Sequence, residues 1–210
     1  ETVMNIALGG GETETFTAEV MNDGQEGSVV SFVTYPGQER TSDESFSDGS
    51  LPEGWSTATN AECDNPGWYV TEDASSSYFT IPPGDGFYIA TNDDACGSSS
   101  DGSNDMLYTN EISLPDGMVE LSFQRYFTAG YNQTLQVYVS QDNWETYDEV
   151  LNLGYWEGSE EWVKETIDLQ AYAGESVALA FHSNDNGNWA SGVALDDIQL
   201  GMTPLWISSS

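Results

Sequence analysis

Residues 134–140, TLQVYVS, alternate apolar and polar side chains, whereas residues 176–182, SVALAFH, are apolar at almost every position. Successive side chains of a strand point to opposite faces, so the first pattern predicts a strand with one wet face and the second a central strand. Working outward, further runs of this kind stand at 15–21, 28–34, 86–91, 119–127, 162–168 and 192–200, separated by Gly, Asn, Asp and Pro turns. Helical periodicity is scarce. The pattern predicts an all-β chain, an antiparallel jelly-roll β-sandwich with long loops. The longest connections, at 56–85, 92–105 and 184–191, are of the length that usually marks functional or stapled loops.

The chain has 210 residues, enough for one generous sandwich or for one domain and part of another. Arg40, Arg125 and Lys164 stand against 36 acidic residues, a formal charge of -33. Nucleic acid and anionic membranes need Lys and Arg to neutralise phosphate, so both are excluded as partners. Such acidity with few aromatics would predict disorder, but 12% aromatic residues and seven Trp predict a packed core. Two explanations fit an acidic folded surface, and they are compatible. One is a solvated coat suited to a salty, divalent-rich medium; the other is convergence of some carboxylates on calcium, which takes oxygen donors.

The two cysteines, Cys63 and Cys96, each lie in Gly/Asn/Asp-rich sequence. A disulfide between them is the economical reading and implies an oxidising compartment, secreted or cell-surface; two free thiols are the alternative. No apolar run is long enough to span a membrane and no signal peptide is visible, and Glu1 opens in mid-pattern, so a mature or excised segment is expected.

Five motifs follow one another along the chain: Phe-x-x-Gly-x-Leu-Pro-x-Gly-Trp at 46–55, Ala-x-Asn-Asp-Asp at 90–94, Asn-Asp-x-Leu at 104–107, Asp-Leu-x-x-Tyr-Ala-Gly at 168–174 and Leu-Asp-Asp-Ile at 195–198. In this order they resemble the cleaved-adhesin domains, which belong with the choice-of-anchor jelly rolls and look distantly like MAM domains. The resemblance runs from roughly residue 42 to 201. It implies an accessory domain of a large secreted protein, a peptidase or adhesin, with bound calcium. The implied metal ligands are Asn92, Asp93 and Asp94, then Asn104 and Asp105, then Asp196 and Asp197. A physical reading of these blocks of oxygen donors agrees. Where related domains commonly carry Glu after the first-strand Phe, this chain has Ser47; Glu44 or Asp48 could substitute, or that ligand is missing.

A composition shift near residue 40 divides the chain into 1–39, 40–201 and 202–210. The stretch FTAEVMNDGQEGSVVSFV at 16–33 resembles the middle of a bacterial immunoglobulin-like module, and Pro204 to Ser210 looks like its next strand. The jelly roll is then an insertion in a host domain, or both ends are linker.

Catalytic machinery is not visible. Neither Gly-x-Ser-x-Gly nor His-Glu-x-x-His occurs, and the single histidine, His182, ends a strand, where a bond to a loop explains it without a general-base role. Glycoside hydrolysis needs two carboxylates across a cleft and stays open as an enzymatic alternative. Trp55, Trp68 and Trp162 read as core, and Arg125 as an internal charge partner or else a partner for a substrate carboxylate. Trp144, Tyr155, Trp156 and Trp189 lie in turn sequence among Asn, Gly and Glu. Exposed there they would form a sugar or peptide site; folded back, they would pack on the sandwich. Asn184 to Asn188 reads as a turn, and Asn132-Gln133-Thr134 as a formal glycosylation sequon. The expected function is thus a calcium-stabilised, non-catalytic accessory domain binding carbohydrate or protein surfaces beside other domains of its polypeptide, or else a structural spacer.

Overall fold

A computed structural model describes residues 40–84, 86–99, 101–117 and 119–202. The strands expected at 15–21 and 28–34, the host-like tail and the limits of the flanking segments lie outside the described residues. Two antiparallel sheets face each other. The front sheet contains β1 (Arg40–Glu44), β3 (Tyr69–Thr71), β4 (Tyr88–Thr91), β7 (Val119–Tyr126), β10 (Val163–Asp168) and β12 (Val193–Met202) in the order β10-β7-β12-β4-β3, with β1 also on β12. The back sheet contains β2 (Ser56–Ala58), β5 (Asp105–Tyr108), β6 (Ile112–Ser113), β8 (Thr134–Ser140), β9 (Asp148–Leu153) and β11 (Ser176–Asn184) in the order β2-β5-β11-β8-β9, with β6 also on β11. The chain folds as a jelly-roll β-sandwich.

The alternation in TLQVYVS is realised in β8, where Leu135, Val137 and Val139 enter the core. From the front sheet, Leu121 and Phe123 of β7 meet them together with Leu195, Ile198 and Leu200 of β12. Phe123 and Phe181 join the sheets edge to face, with ring centroids 5.4 Å apart, a geometry that adds to plain area burial.

In each sheet one long strand changes partner along one edge. β12 pairs with β4 through Val193 to Leu195 and with β1 through Ile198 to Gly201. Between them Asp196 opposes Gln124 and Gln199 opposes Ser122, so β12 carries one residue more than β7. Asp197, with φ 48°, absorbs the extra residue as a bulge, and this is why Leu195 and Ile198 both reach the core. β11 likewise passes from β6 to β5. At that seam Thr109 keeps the ladder satisfied: its N–H donates to Leu179 O, and its hydroxyl accepts from Leu179 N, both at 2.9 Å.

The segment between β3 and β4 turns back over the outer side of the front sheet. Ala74, Phe79 and Ile81 bury Tyr88, Ala90, Tyr126 and Ala194 in a second cluster, pinned by Tyr126 Oη donating to Thr80 O and Trp162 Nε1 donating to Pro82 O. The region 56–85, read as loop, therefore contains β2 and β3, and Trp162 stands just ahead of its strand. Arg125 is the internal charge partner expected: 6% exposed, it meets Glu165 at 2.8 Å and stacks on Phe127.

Phe181→Ala removes the ring that bridges the sheets and should lower unfolding free energy by about 3–5 kcal/mol in chemical denaturation. A loss below about 1 kcal/mol would contradict the packing described.

Candidate functional site

Most inter-sheet loops gather at one end of the sandwich, where β2, β4, β7, β9 and β11 finish and β3, β5, β8, β10 and β12 begin. The motif residues 92–94 sit there. Asn92 caps the one-turn helix α1 (Asp93–Cys96), accepting from Ala95 N at 2.8 Å. Its amide donates to Ala74 O. Asp93 is 6% exposed and accepts from Ala190 N. Asp94 accepts from Ser76 Oγ at 2.6 Å and Tyr78 N at 3.0 Å. Cys96 bonds to Cys63, joining residues 33 apart and tying this helix to the β2–β3 loop.

The other implied ligands are dispersed. Asp105 opens β5, buried, and accepts from Thr59 and Ser103 hydroxyls. Asn104 beside it is exposed, and its N–H donates to Asn60 Oδ1. Asp196 and Asp197 lie in the middle of β12 at the bulge rather than at its start, and Glu44 pairs there in register with Ile198. Glu44 itself accepts from Phe46 N. Asp48 is exposed in a turn, where the Ser50 hydroxyl and amide hold its carboxyl below the usual carboxylate range. The nine side chains thus fall in separate places, and among the described residues no three His, Cys, Asp or Glu side chains are grouped closely enough to hold a metal.

A cation at the loop end would therefore have to use amide and hydroxyl oxygens beside a carboxylate, which suits a hard ion such as Ca²⁺. Oxygens of that type are present. Gln133 Oε1 and Ser191 Oγ are buried without a hydrogen-bond partner. Gln133 Nε2 reaches Ser183 Oγ, which bonds Thr91 Oγ1, and Thr91 Oγ1 accepts from Val193 N. Gln133 is thus linked through Ser183 to the segment that leads into Asp93, and Ser191 meets the same segment through its carbonyl, which accepts from Asp94 N. The donor chemistry fits calcium.

The four aromatic candidates separate as well. Trp189 joins Tyr78 and Tyr131 in a trio from three loops, with centroids 5.4–5.8 Å apart. Asn132 Nδ2 donates to Trp189 O and Asn186 Nδ2 to Asn132 O, holding two of these loops together. Tyr155 and Trp156 form an exposed pair, 45% and 69% accessible. Tyr155 O accepts from Gly130 N, next to Tyr131. Tyr78 is 54% exposed; it and Tyr131 were not singled out in sequence, because their contact with Trp189 is made only when distant loops meet. Trp144 sits at the opposite end, in the β8–β9 turn, packed edge-on against Tyr108 at 5.1 Å.

His182 lies on the outer side of β11, partly buried, with Asp105 and Asp185 nearby. Burial pushes its pKa down, against the upward pull of those carboxylates. Asp105 is pushed the other way, chiefly by burial. Asp185, 4% exposed, accepts from Gly187 N and Gly102 N in the turn expected at 184–188.

A disulfide-stapled loop end on a two-sheet jelly roll defines a compact β-sandwich module. Residues 45–204 match the family described as MAM domain, meprin/A5/mu, and the chain belongs to that family. Similar solved structures include the K3 cleaved adhesin domain of Lys-gingipain from Porphyromonas gingivalis W83, 19% identical, TM-score 0.58, covering 80% of this chain and 100% of that one. Others are a CBM61 module in complex with β-1,4-galactotriose, 16% identical, TM-score 0.51, covering 76% and 95%, and the CBM22-1 xylan-binding domain of Paenibacillus barcinonensis Xyn10C, 17% identical, TM-score 0.50, covering 82% and 100%. These likenesses establish the jelly-roll fold. No curated protein sequence matches the chain. Among the described residues no helix is long and apolar enough to cross a membrane.

Proton NMR of the single imidazole should give a midpoint below the ordinary 6.5 for His182. Its folded pKa lies below the unfolded one, so its contribution to stability is present above pH 6.5 and lost as pH falls through the folded value. Asp105→Asn removes a carboxylate that holds the value up, and should lower the midpoint further; a rise would refute the assignment.

Proposed function

We propose that this chain is a non-catalytic accessory module of an extracellular protein, binding carbohydrate through the aromatic side chains of its loop end, with calcium ordering the same loops. The observation that carries the reading is the exposed Tyr155–Trp156 pair beside the Tyr78–Tyr131–Trp189 trio. Flat apolar rings flanked by Asn132 and Asn186 amides offer what a sugar needs, a stacking face with hydrogen-bonding groups at its rim. The disulfide supports an oxidising compartment. Against hydrolysis, the carboxylates of Asp105 and Asp185 are buried and accept bonds from the protein itself, so neither is presented to a cleft. The calcium would be held by Asp93 with Gln133 and Ser191, and would supply charge compensation in a chain of net charge -33.

Binding to soluble β-glycans, followed by calorimetry, should weaken at least about tenfold in Trp156→Ala, as truncation of an exposed binding ring does. The melting temperature should barely change. Binding retained in both Trp156→Ala and Trp189→Ala would sink the loop-end reading, and selective capture of protein ligands instead would move it to protein surfaces.

Removal of calcium should lower the melting temperature by about 5–10 °C when the ion had been present at roughly a hundred times its Kd. Gln133→Ala should blunt that shift. A melt indifferent to chelator would rule the ion out.

A further inference from the structure

We propose that the outer side of the back sheet is a second binding site, an aromatic platform for a neutral pyranose chain, built from residues separate from the loop end. The front sheet is roofed by the β3–β4 segment; the back sheet instead carries rings of its own. The alternation that sends Leu135, Val137 and Val139 inward turns Gln136 and Tyr138 outward. Register then aligns Tyr108, Ala180 and Tyr138 across three strands, and Met106, His182, Gln136 and Asn152 across four. Adjacent strands lie about 4.8 Å apart, so the two tyrosines stand roughly 10 Å from each other over a floor of Ala180. Ala180 is wholly covered although it faces outward between these two strands.

The β8–β9 turn completes the surface. Trp144, at φ 68°, donates its N–H to Ser140 Oγ at 2.9 Å. Its indole crosses β11 to lie against Tyr108. Tyr147, 63% exposed, packs on Tyr138 at 5.2 Å, and Tyr138 lies 6.3 Å from His182. The result is a paved face with hydroxyl, imidazole and amide groups at the ring edges. Gln136, 7% exposed, keeps Oε1 without a partner beside His182 on this face, an acceptor that stays costly until a hydroxyl or water meets it.

Charge selects the ligand. The three basic residues, Arg40, Arg125 and Lys164, all belong to strands of the front sheet. The back-sheet edge carries Asp148 and Glu149, the latter held by Asn152 Nδ2 at 3.0 Å. Sulfated, phosphorylated or uronate chains would be repelled there, whereas a neutral sugar stacks on rings and bonds through its hydroxyls. The proposal shares its ligand chemistry with the loop-end reading but none of its residues.

His182 is the chain's single histidine, so every imidazole proton signal comes from a side chain on this face. The probes are xylotriose, cellotriose and β-1,4-galactotriose, each titrated to roughly 10 mM, enough to saturate a millimolar site. At least one should shift the imidazole signals saturably in the unaltered chain and in Trp156→Ala. Tyr147→Ala, at an exposed ring whose loss should leave folding intact, and Tyr138→Ala should each weaken that response at least tenfold. Signals unmoved by every probe, or moved equally in Tyr147→Ala, overturn the platform. Response lost in Trp156→Ala yet kept in Tyr147→Ala also overturns it, while leaving the loop-end site standing.

Discussion

The sandwich depends on one extra residue in β12. This strand lies between β7 on one edge and both β4 and β1 on the other. A continuous two-residue period would send either Leu195 or Ile198 to solvent. The bulge at Asp196 and Asp197 resets the period, so both halves of the strand bury their leucines and isoleucine against the same core. Two acidic residues are tolerated at that point because neither needs to face inward. Their placement has a packing cause that holds whether or not an ion is bound nearby.

Five long strands, β7, β8, β10, β11 and β12, were legible because each carries its own pattern. TLQVYVS became β8 with the bounds expected, but the face expected to be wet is largely covered, Thr134, Gln136 and Ser140 being buried beside Tyr138, and SVALAFH became the centre of β11. β1, β2, β3, β5, β6 and β9 were not expected: β2, β3 and β6 are two or three residues long and formed by the partners that receive them, and RTSDE, DMLY and DEVLNL carry too little β pattern of their own. Tyr69 to Thr71 is a strand because Tyr88 to Ala90 stands beside it. The candidate site was readable residue by residue but not as an arrangement. Trp189 was visible as a loop aromatic, yet Tyr78 and Tyr131 become its neighbours only through tertiary folding. Trp144 was grouped with Trp156 by flanking sequence, and topology sends the two to opposite ends. Asp105 illustrates the same limit: its Asn-Asp motif marks oxygen donors, and the fold spends those oxygens on Thr59 and Ser103.

The acidic excess is distributed in keeping with this economy. Where charge enters the interior it is matched, as Arg125 is by Glu165 and the ring of Phe127. Where a carboxylate is buried without a cation, N–H and O–H donors from neighbouring loops meet it, as at Asp105 and Asp185. Much of the remainder is solvated on turns, where Asp48 and Asp142 organise the local backbone through hydrogen bonds to Ser50 and Thr146.

The Cys63–Cys96 bond closes a covalent ring through β3 and β4, and β3 is an edge strand of the front sheet. Edge strands are where one molecule most easily lends a segment to another or is peeled away. Here that hairpin cannot be surrendered to a neighbouring copy, because the chain on either side of it is joined at the base. A proteolytic cut anywhere in the exposed part of the ring would likewise leave both fragments attached. The staple thus confers tolerance to nicking and resistance to strand exchange, properties that concern the durability of the module rather than what it binds.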